Sequence, residues 1–245
     1  MNNIRYKDSS LYWRMRANRP GQKSVMWRNE TFNCLFRREE EKILKKLFAS
    51  KLTAPLEILE YGCGVGIFCM ILIKVFPNAH VTGIDFPEMI SVAKRKNSHE
   101  RITYISSEAE NYLASPSSYD LIVSSGAITA IINKDYAYTV LKNSQLMLRD
   151  NGELLFIDPF HKYWPLSRKS LNAKEIITIL TNNPNINLST YSGISFWPIR
   201  MIIANSNFPK QMVVILFLMG EKLLSLLGKR QWSDYKVLLF SHVQK

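Results

Sequence analysis

Three glycines alternate in Gly62-Cys63-Gly64-Val65-Gly66, directly after an apolar run over 56–61 whose last acid is Glu60. Glycine has no Cβ, so such a loop can adopt positive φ and let a ligand approach the backbone closely. An apolar strand, this loop and the apolar helical stretch 67–76 together suit a nucleotide-like cofactor received at the carboxyl edge of a parallel sheet. The spacing narrows the cofactor. A dinucleotide fingerprint needs a third Gly or Ala where this chain has Ile67, so nicotinamide dinucleotides are not expected. A second acid, Asp85, closes the strand-like run 81–85, about twenty residues beyond the loop, where a carboxylate can accept hydrogen bonds from vicinal ribose hydroxyls.

The elements that must position these groups are legible as alternating patterns. Strands are expected near 56–61, 80–85, 102–105, 119–124 and 153–158, with helical stretches between them, which implies parallel strands covered on both faces. A helix over 36–50 presents Leu44, Leu47 and Phe48 on one side and Glu39, Glu40, Lys42 and Lys46 on the other. A further helix over 170–182, a strand over 185–191 and a last strand over 235–243 complete the pattern. Residues 1–35 read as irregular, basic and aromatic, with Tyr6, Tyr12, Trp13, Trp27 and Phe32 among Arg14, Arg16, Arg19 and Arg28, broken at Pro20-Gly21.

Several motifs in this order resemble the class I S-adenosylmethionine-dependent methyltransferases over roughly residues 55–160. Glu60 to Gly66 resembles the family's first motif, and Val81-Thr82-Gly83-Ile84-Asp85 its second strand. Tyr104-Ile105-Ser106-Ser107-Glu108-Ala109-Glu110 is similar to the segment that meets adenine. Tyr119-Asp120-Leu121-Ile122-Val123-Ser124 is similar to the fourth strand, and Leu148 to Leu154 to the turn into the fifth. The resemblance implies an α/β fold, a doubly wound, seven-stranded, mostly parallel sheet with an antiparallel last strand. It divides the chain into a basic aromatic cap or lid (1–51), a cofactor-binding core (52–160) and a C-terminal part of the same domain (161–245) carrying a helical lid insertion over 196–230.

The resemblance also implies roles. S-adenosyl-L-methionine is the expected cofactor, with Glu60 accepting from its ammonium group and Asp85 from the ribose. Glu108 takes the adenine amino hydrogen, although the family more often has Asp there, and the Ala109 amide donates to a ring nitrogen. Phe86 offers an apolar face. Gly62, Cys63, Gly64, Gly66 and Ser124 complete the expected cofactor set. The acceptor is expected outside the ends of strands four and five, near Ser124-Ser125-Gly126 and Asp158-Pro159-Phe160-His161. His161 is the candidate base, since an imidazole titrates near neutrality, with Asp158 as the other candidate and proximity alone as the alternative for an acidic acceptor. O-methylation of a small molecule or saccharide is the expected reaction; RNA methylation and a non-catalytic cofactor-binding subunit are the alternatives.

Charge points to the partner. Residues 1–51 hold 13 basic and 5 acidic residues, a net of +8; 52–159 hold 8 and 12, a net of −4; 160–245 hold 11 and 3, again +8. Basic flanks around an acidic core suit an anionic acceptor, RNA or an anionic membrane surface, against a solvated face with no partner. DNA is not expected. The run 212–219 is apolar all round but well short of the roughly twenty residues a membrane span needs, leaving burial under the lid, a dimer interface or a membrane-surface helix open. Three cysteines make neither a disulfide framework nor a metal site, and no secretory signal is visible, so a reduced cytoplasmic protein, with or without peripheral membrane association, is expected.

Overall fold

The computed structural model describes residues 9–161 and 170–243. Seven strands form one sheet in the order β3-β2-β1-β4-β5-β7-β6. These are β1 (Glu57–Tyr61), β2 (His80–Asp85), β3 (Ile102–Ser106), β4 (Tyr119–Ser125), β5 (Leu148–Asp158), β6 (Ile186–Phe196) and β7 (Ser233–His242). The first five run parallel, and β7 inserts antiparallel between β5 and β6. Ile58, Leu59 and Tyr61 of β1 are fully buried, as expected of a strand paired on both edges and covered on both faces.

The helices are α1 (Ser9–Arg16), α2 (Glu30–Leu47), α3 (Ile67–Val75), α4 (Pro87–Lys96), α5 (Lys134–Met147), α6 (Ala173–Thr181), α7 (Trp197–Ile203), α8 (Lys210–Leu227) and a last turn, α9 (Lys229–Trp232). Two core clusters lie on opposite faces of the sheet. Phe32, Phe36, Phe68, Phe76 and Val213 belong to one; Tyr61, Val140, Phe156 and Ile176 belong to the other. Asn172 and Glu175 form a capping box at the start of α6, each side chain accepting from the other's backbone amide.

The amino-terminal segment departs from the expected irregular run. It holds α1, a 3-10 turn over Gly21–Ser24, and the first turns of α2, which begins six residues before the expected helix. Asn29 caps α2, its side chain accepting from the Phe32 amide at 3.0 Å, and Phe32 and Phe36 are buried one turn apart. Aromatic residues interleaved with arginines hid that helical spacing. Tyr6 of the same segment lies outside the described residues. Strands β5 and β6 are also longer than expected, and the 196–230 insertion holds α7, α8 and the first half of α9. No helix among the described residues is long and apolar enough to cross a membrane.

Candidate active site

Strand β1 delivers its chain to the glycine loop with Gly62 at φ +65° and Gly64 at φ +56°. A Cβ on Gly62 would lie 2.3 Å from the Ala127 Cβ, and one on Gly64 would lie 2.4 Å from Val25 Cγ1. Glycine is therefore required twice over, by conformation and by space. The loop is tied to β2: the Gly64 amide donates to Asp85 Oδ2 at 2.7 Å, the Phe86 amide to Oδ1 at 2.7 Å, and the Cys63 amide to the Ile84 carbonyl at 3.0 Å.

A cavity of about 1020 Å³ opens over this edge of the sheet. That is at the top of the range of about 300–1,000 Å³ usual for small-molecule sites, enough for two ligands side by side. Of the residues expected to meet a cofactor, Glu60, Gly62, Cys63, Gly64, Asp85, Phe86, Glu108 and Ala109 line it; Gly66 and Ser124 do not. Glu60 is buried and accepts from the Cys69 thiol at 2.8 Å. Burial pushes its carboxyl up to about 7, with the Cys69 bond and Arg37 pulling against it. Burial likewise raises Asp85 to about 6 against its two amide donors. Such carboxyls are costly in an empty site and become favourable once a cation or a donor pair meets them.

The far end of the row is covered by α1. Arg14 lies 5.0 Å above the Phe86 ring and within 3.6 Å of both Glu88 and Glu108, while Asn111 donates to Glu108 at 3.2 Å. Glu108 therefore already has two partners. Ala17 packs with Met89 and Val92, which seats the amino-terminal segment on α4.

The rest of the lining was expected only in part, through Ser125, Gly126 and the basic amino-terminal residues. Arg37, Glu40 and Ser125 form a closed cluster: Arg37 Nη1 donates to Glu40 Oε2 at 2.7 Å and to Ser125 Oγ at 3.1 Å, and Ser125 Oγ donates to Glu40 Oε1. Glu40 is fully buried, and burial raises its carboxyl despite Arg37 beside it. Trp27, Phe36 and Tyr235 pack edge to face at 4.7–5.8 Å. Arg200 sits 5.7 Å from the Trp27 ring. Arg16, Arg19, Lys23, Arg28, Arg37 and Arg200 all line the cavity together with Glu60, Asp85, Glu108 and Glu110, so six basic side chains meet four acids around it.

The two candidate bases lie elsewhere. Asp158 is fully buried and accepts from the Thr129 amide and hydroxyl at 3.1 and 3.0 Å and from Ser124 Oγ at 3.0 Å. Burial raises it to about 7, but it does not line the cavity; with Ser124 it fastens the loop after β4 to the end of β5. His161 points its Nε2 to Asp234 Oδ1 at 3.0 Å, and Arg200 Nη2 meets the same oxygen at 2.6 Å. Pro159 lines the cavity and Phe160 enters the core, so the turn carries the imidazole past the cavity wall. Among the described lining residues there is no histidine.

A family model described as a methyltransferase domain matches residues 52–211. Malonyl-[acyl-carrier protein] O-methyltransferase of Bacillus cereus is 31% identical over 151 residues, which cover 61% of this chain and 54% of that protein. Malonyl-[acyl-carrier protein] O-methyltransferase 1 of Ilyobacter polytropus is 40% identical over 118 residues, 47% of this chain and 42% of that one. The chain spans about half the length of the curated relatives it matches. Among solved structures, the N-methyltransferase NodS from Bradyrhizobium japonicum, in complex with S-adenosyl-L-homocysteine, superposes with a TM-score of 0.63 at 18% identity, covering 97% of this chain and 100% of that one. Phosphoethanolamine N-methyltransferase 1 from Haemonchus contortus gives 0.65 at 13% identity, covering 100% of this chain and 50% of that one. At these identities the likeness is one of fold.

Proposed function

The chain belongs to the methyltransferase-domain family, with the fold of the class I S-adenosylmethionine-dependent methyltransferases, and from that premise we propose that it methylates a carboxylate oxygen of a small or carrier-borne acyl acceptor. The observation that carries this reading is the excess of basic over acidic side chains in the cavity lining, six against four. The residues fit the cofactor, because the glycine loop forms a cradle that a Cβ at Gly62 or Gly64 would fill and two raised carboxyls face it. Glu60 would hold the ammonium group, Asp85 the ribose hydroxyls, Phe86 and the Ala109 amide the adenine. Glu108 would have to share its carboxylate with Arg14.

When bound, the cofactor supplies an electrophilic methyl group on a sulfonium. The chain's own part is to hold the acceptor in line and keep water out. Arg19, Lys23 and Arg28 of the lining would anchor an anionic acceptor, since Arg16, Arg37 and Arg200 are held by the protein's own acceptors, and Trp27, Phe36 and Tyr235 would shield it. A carboxylate is already ionised at neutral pH, so it needs no base, in keeping with a described lining that holds no histidine. The curated relatives are named for a malonyl group on an acyl carrier protein, which supports a carboxylate and gives none to a saccharide.

Incubation with labelled S-adenosylmethionine and a panel of dicarboxylic acyl thioesters, free and on a carrier protein, tests the proposal. The expected product is a methyl ester, which mild alkali releases as labelled methanol; an alkali-stable methyl ether or methylamine would overturn it. Raising the salt concentration should weaken acceptor binding, because Arg19 and Arg28 are exposed and such charges are screened over about 8 Å at physiological ionic strength.

Cofactor binding should depend on pH with a fixed sign. Glu60 and Asp85 bind a cation and a diol best as carboxylates, yet in the free site they titrate near 7 and 6. Lowering the pH therefore favours the free, protonated site. Affinity should fall more than about tenfold between pH 7.5 and pH 5.5, with proton release on binding near neutrality. Titration calorimetry in buffers of different ionisation enthalpy reads both, and a flat profile would remove Glu60 from the ammonium site.

A further inference from the structure

A helix on the surface of a soluble domain ordinarily buries one apolar stripe and turns charge to solvent. Helix α8 does the first with Val213, Phe217, Gly220 and Leu224, all buried. Its outward side, at the complementary positions, carries Met212, Ile215, Leu218, Met219, Leu223 and Leu226, with Ile215 58% and Leu226 73% exposed. The 18-residue helix is about 27 Å long, and the stripe follows nearly all of it. Met201 and Ile202 of the adjoining α7 extend the exposed apolar surface sideways. A patch of this continuity marks an interaction surface.

Charge identifies the occupant. The exposed cations Lys210, Lys229 and Arg230 sit at the two ends of the stripe, Arg230 donating to the Tyr191 carbonyl, and Lys222 lies within the stripe, seven residues from Ile215 and four from Leu226, its long stem free to carry the charge toward the headgroups. The one carboxylate of α8, Glu221, turns back toward the Ser195 and Phe196 backbone of β6. Glu39, the nearest other acid, is on α2 and pairs with Lys42. Trp197 and Trp232 stack at 6.2 Å near the carboxyl end, both half-buried, an amphipathic pair of the kind that settles at headgroup depth.

We propose that α8 lies flat on an anionic lipid surface, its outward stripe in the boundary between headgroups and acyl chains and its cations among the lipid phosphates. A two-fold pairing of this face with a second copy would bring two sets of four cations together with no facing carboxylate, in a chain whose net charge is already +12. A neutral apolar partner would leave Lys210, Lys222 and Lys229 without a role. None of the residues of α8 lines the cavity, so this docking does not depend on which acceptor is methylated.

Co-sedimentation of the full chain with vesicles tests the assignment, with S-adenosylhomocysteine affinity and circular dichroism as controls for folding. The protein is expected to pellet with vesicles of equimolar phosphatidylcholine and phosphatidylglycerol, less with phosphatidylcholine alone, and less again as salt rises. The double substitution Ile215→Glu/Leu226→Glu should lower the bound fraction about tenfold or more with cofactor affinity unchanged. Lys210→Glu/Lys229→Glu, at the two ends of the stripe, should lower it similarly and only on anionic vesicles. Leu226→Ser alone, at the most exposed position, serves if the double variant fails to fold. Wild-type protein that stays in solution with anionic vesicles would overturn the proposal. So would glutamate variants that bind as wild type, or a dimer by light scattering that the glutamate variants dissolve.

Discussion

Gly62→Val should leave no measurable affinity for S-adenosylhomocysteine. The substitution places a branched side chain where a Cβ alone would approach Ala127 to 2.3 Å, at a φ of +65° that a β-branched residue strongly disfavours. Ala127 belongs to the loop after β4, which Asp158 fastens through Thr129, so it cannot easily retreat. Gly64→Val tests the same cradle from its other side, because its clash is with Val25 on the amino-terminal segment. Asp85→Ala is milder. It removes the carboxylate that accepts from the Gly64 and Phe86 amides and would face the ribose, a loss of about 1.5–3 kcal/mol, or roughly 10- to 150-fold in affinity. Calorimetric titration of each variant, after thermal unfolding has confirmed a folded protein, gives the comparison. A folded Gly62→Val that binds as wild type would move the cofactor away from this cavity.

The cofactor half of the site was legible because its information is local. A strand, a tight turn and a helix follow one another within about twenty residues, and the glycines and Asp85 carry their reason in their own spacing. The rest of the cavity was legible only through Ser125, Gly126 and the basic amino-terminal residues, because it is assembled from positions far apart. Ser125 meets Glu40 across 85 residues of chain, and Asp234 meets His161 across 73. Nothing in the immediate neighbours of Arg37 or Arg200 distinguishes them from other surface arginines until α2 and α7 bring them to one cavity. The amino-terminal helix start was present in Asn29 and the Phe32/Phe36 spacing, but the surrounding arginines outweighed it. Helix α8 is the reverse case. Its apolar character was plain, yet only the packing of Val213 and Phe217 decided which residues face outward.

Asp234→Ala is expected to cost about 3–5 kcal/mol of folding stability, the largest single-site loss in this part of the molecule. Asp234 is fully buried on β7, and one of its oxygens takes both Arg200 at 2.6 Å and His161 at 3.0 Å. Burial alone would raise its carboxyl, but the His161 hydrogen bond and the Arg200 charge hold it below the usual range. Removing it leaves a guanidinium pressed against Trp27 with no counter-charge. The contribution has a pH signature: it is present above the ordinary aspartate range and is lost as acid protonates the carboxyl at its depressed value. Denaturant unfolding of Asp234→Ala and Asp234→Asn should therefore show the alanine variant much the weaker, with its deficit from wild type shrinking toward low pH. His161→Ala takes one hydrogen bond from the same group and leaves the Arg200 pair, so its stability loss should be about 1–2 kcal/mol. Its methylation rate should stay within a few-fold of wild type, since the imidazole faces Asp234 and not the cavity. A fall of about 10²–10⁴-fold in that rate, with cofactor affinity intact, would restore His161 as the base and argue for a hydroxyl acceptor over a carboxylate.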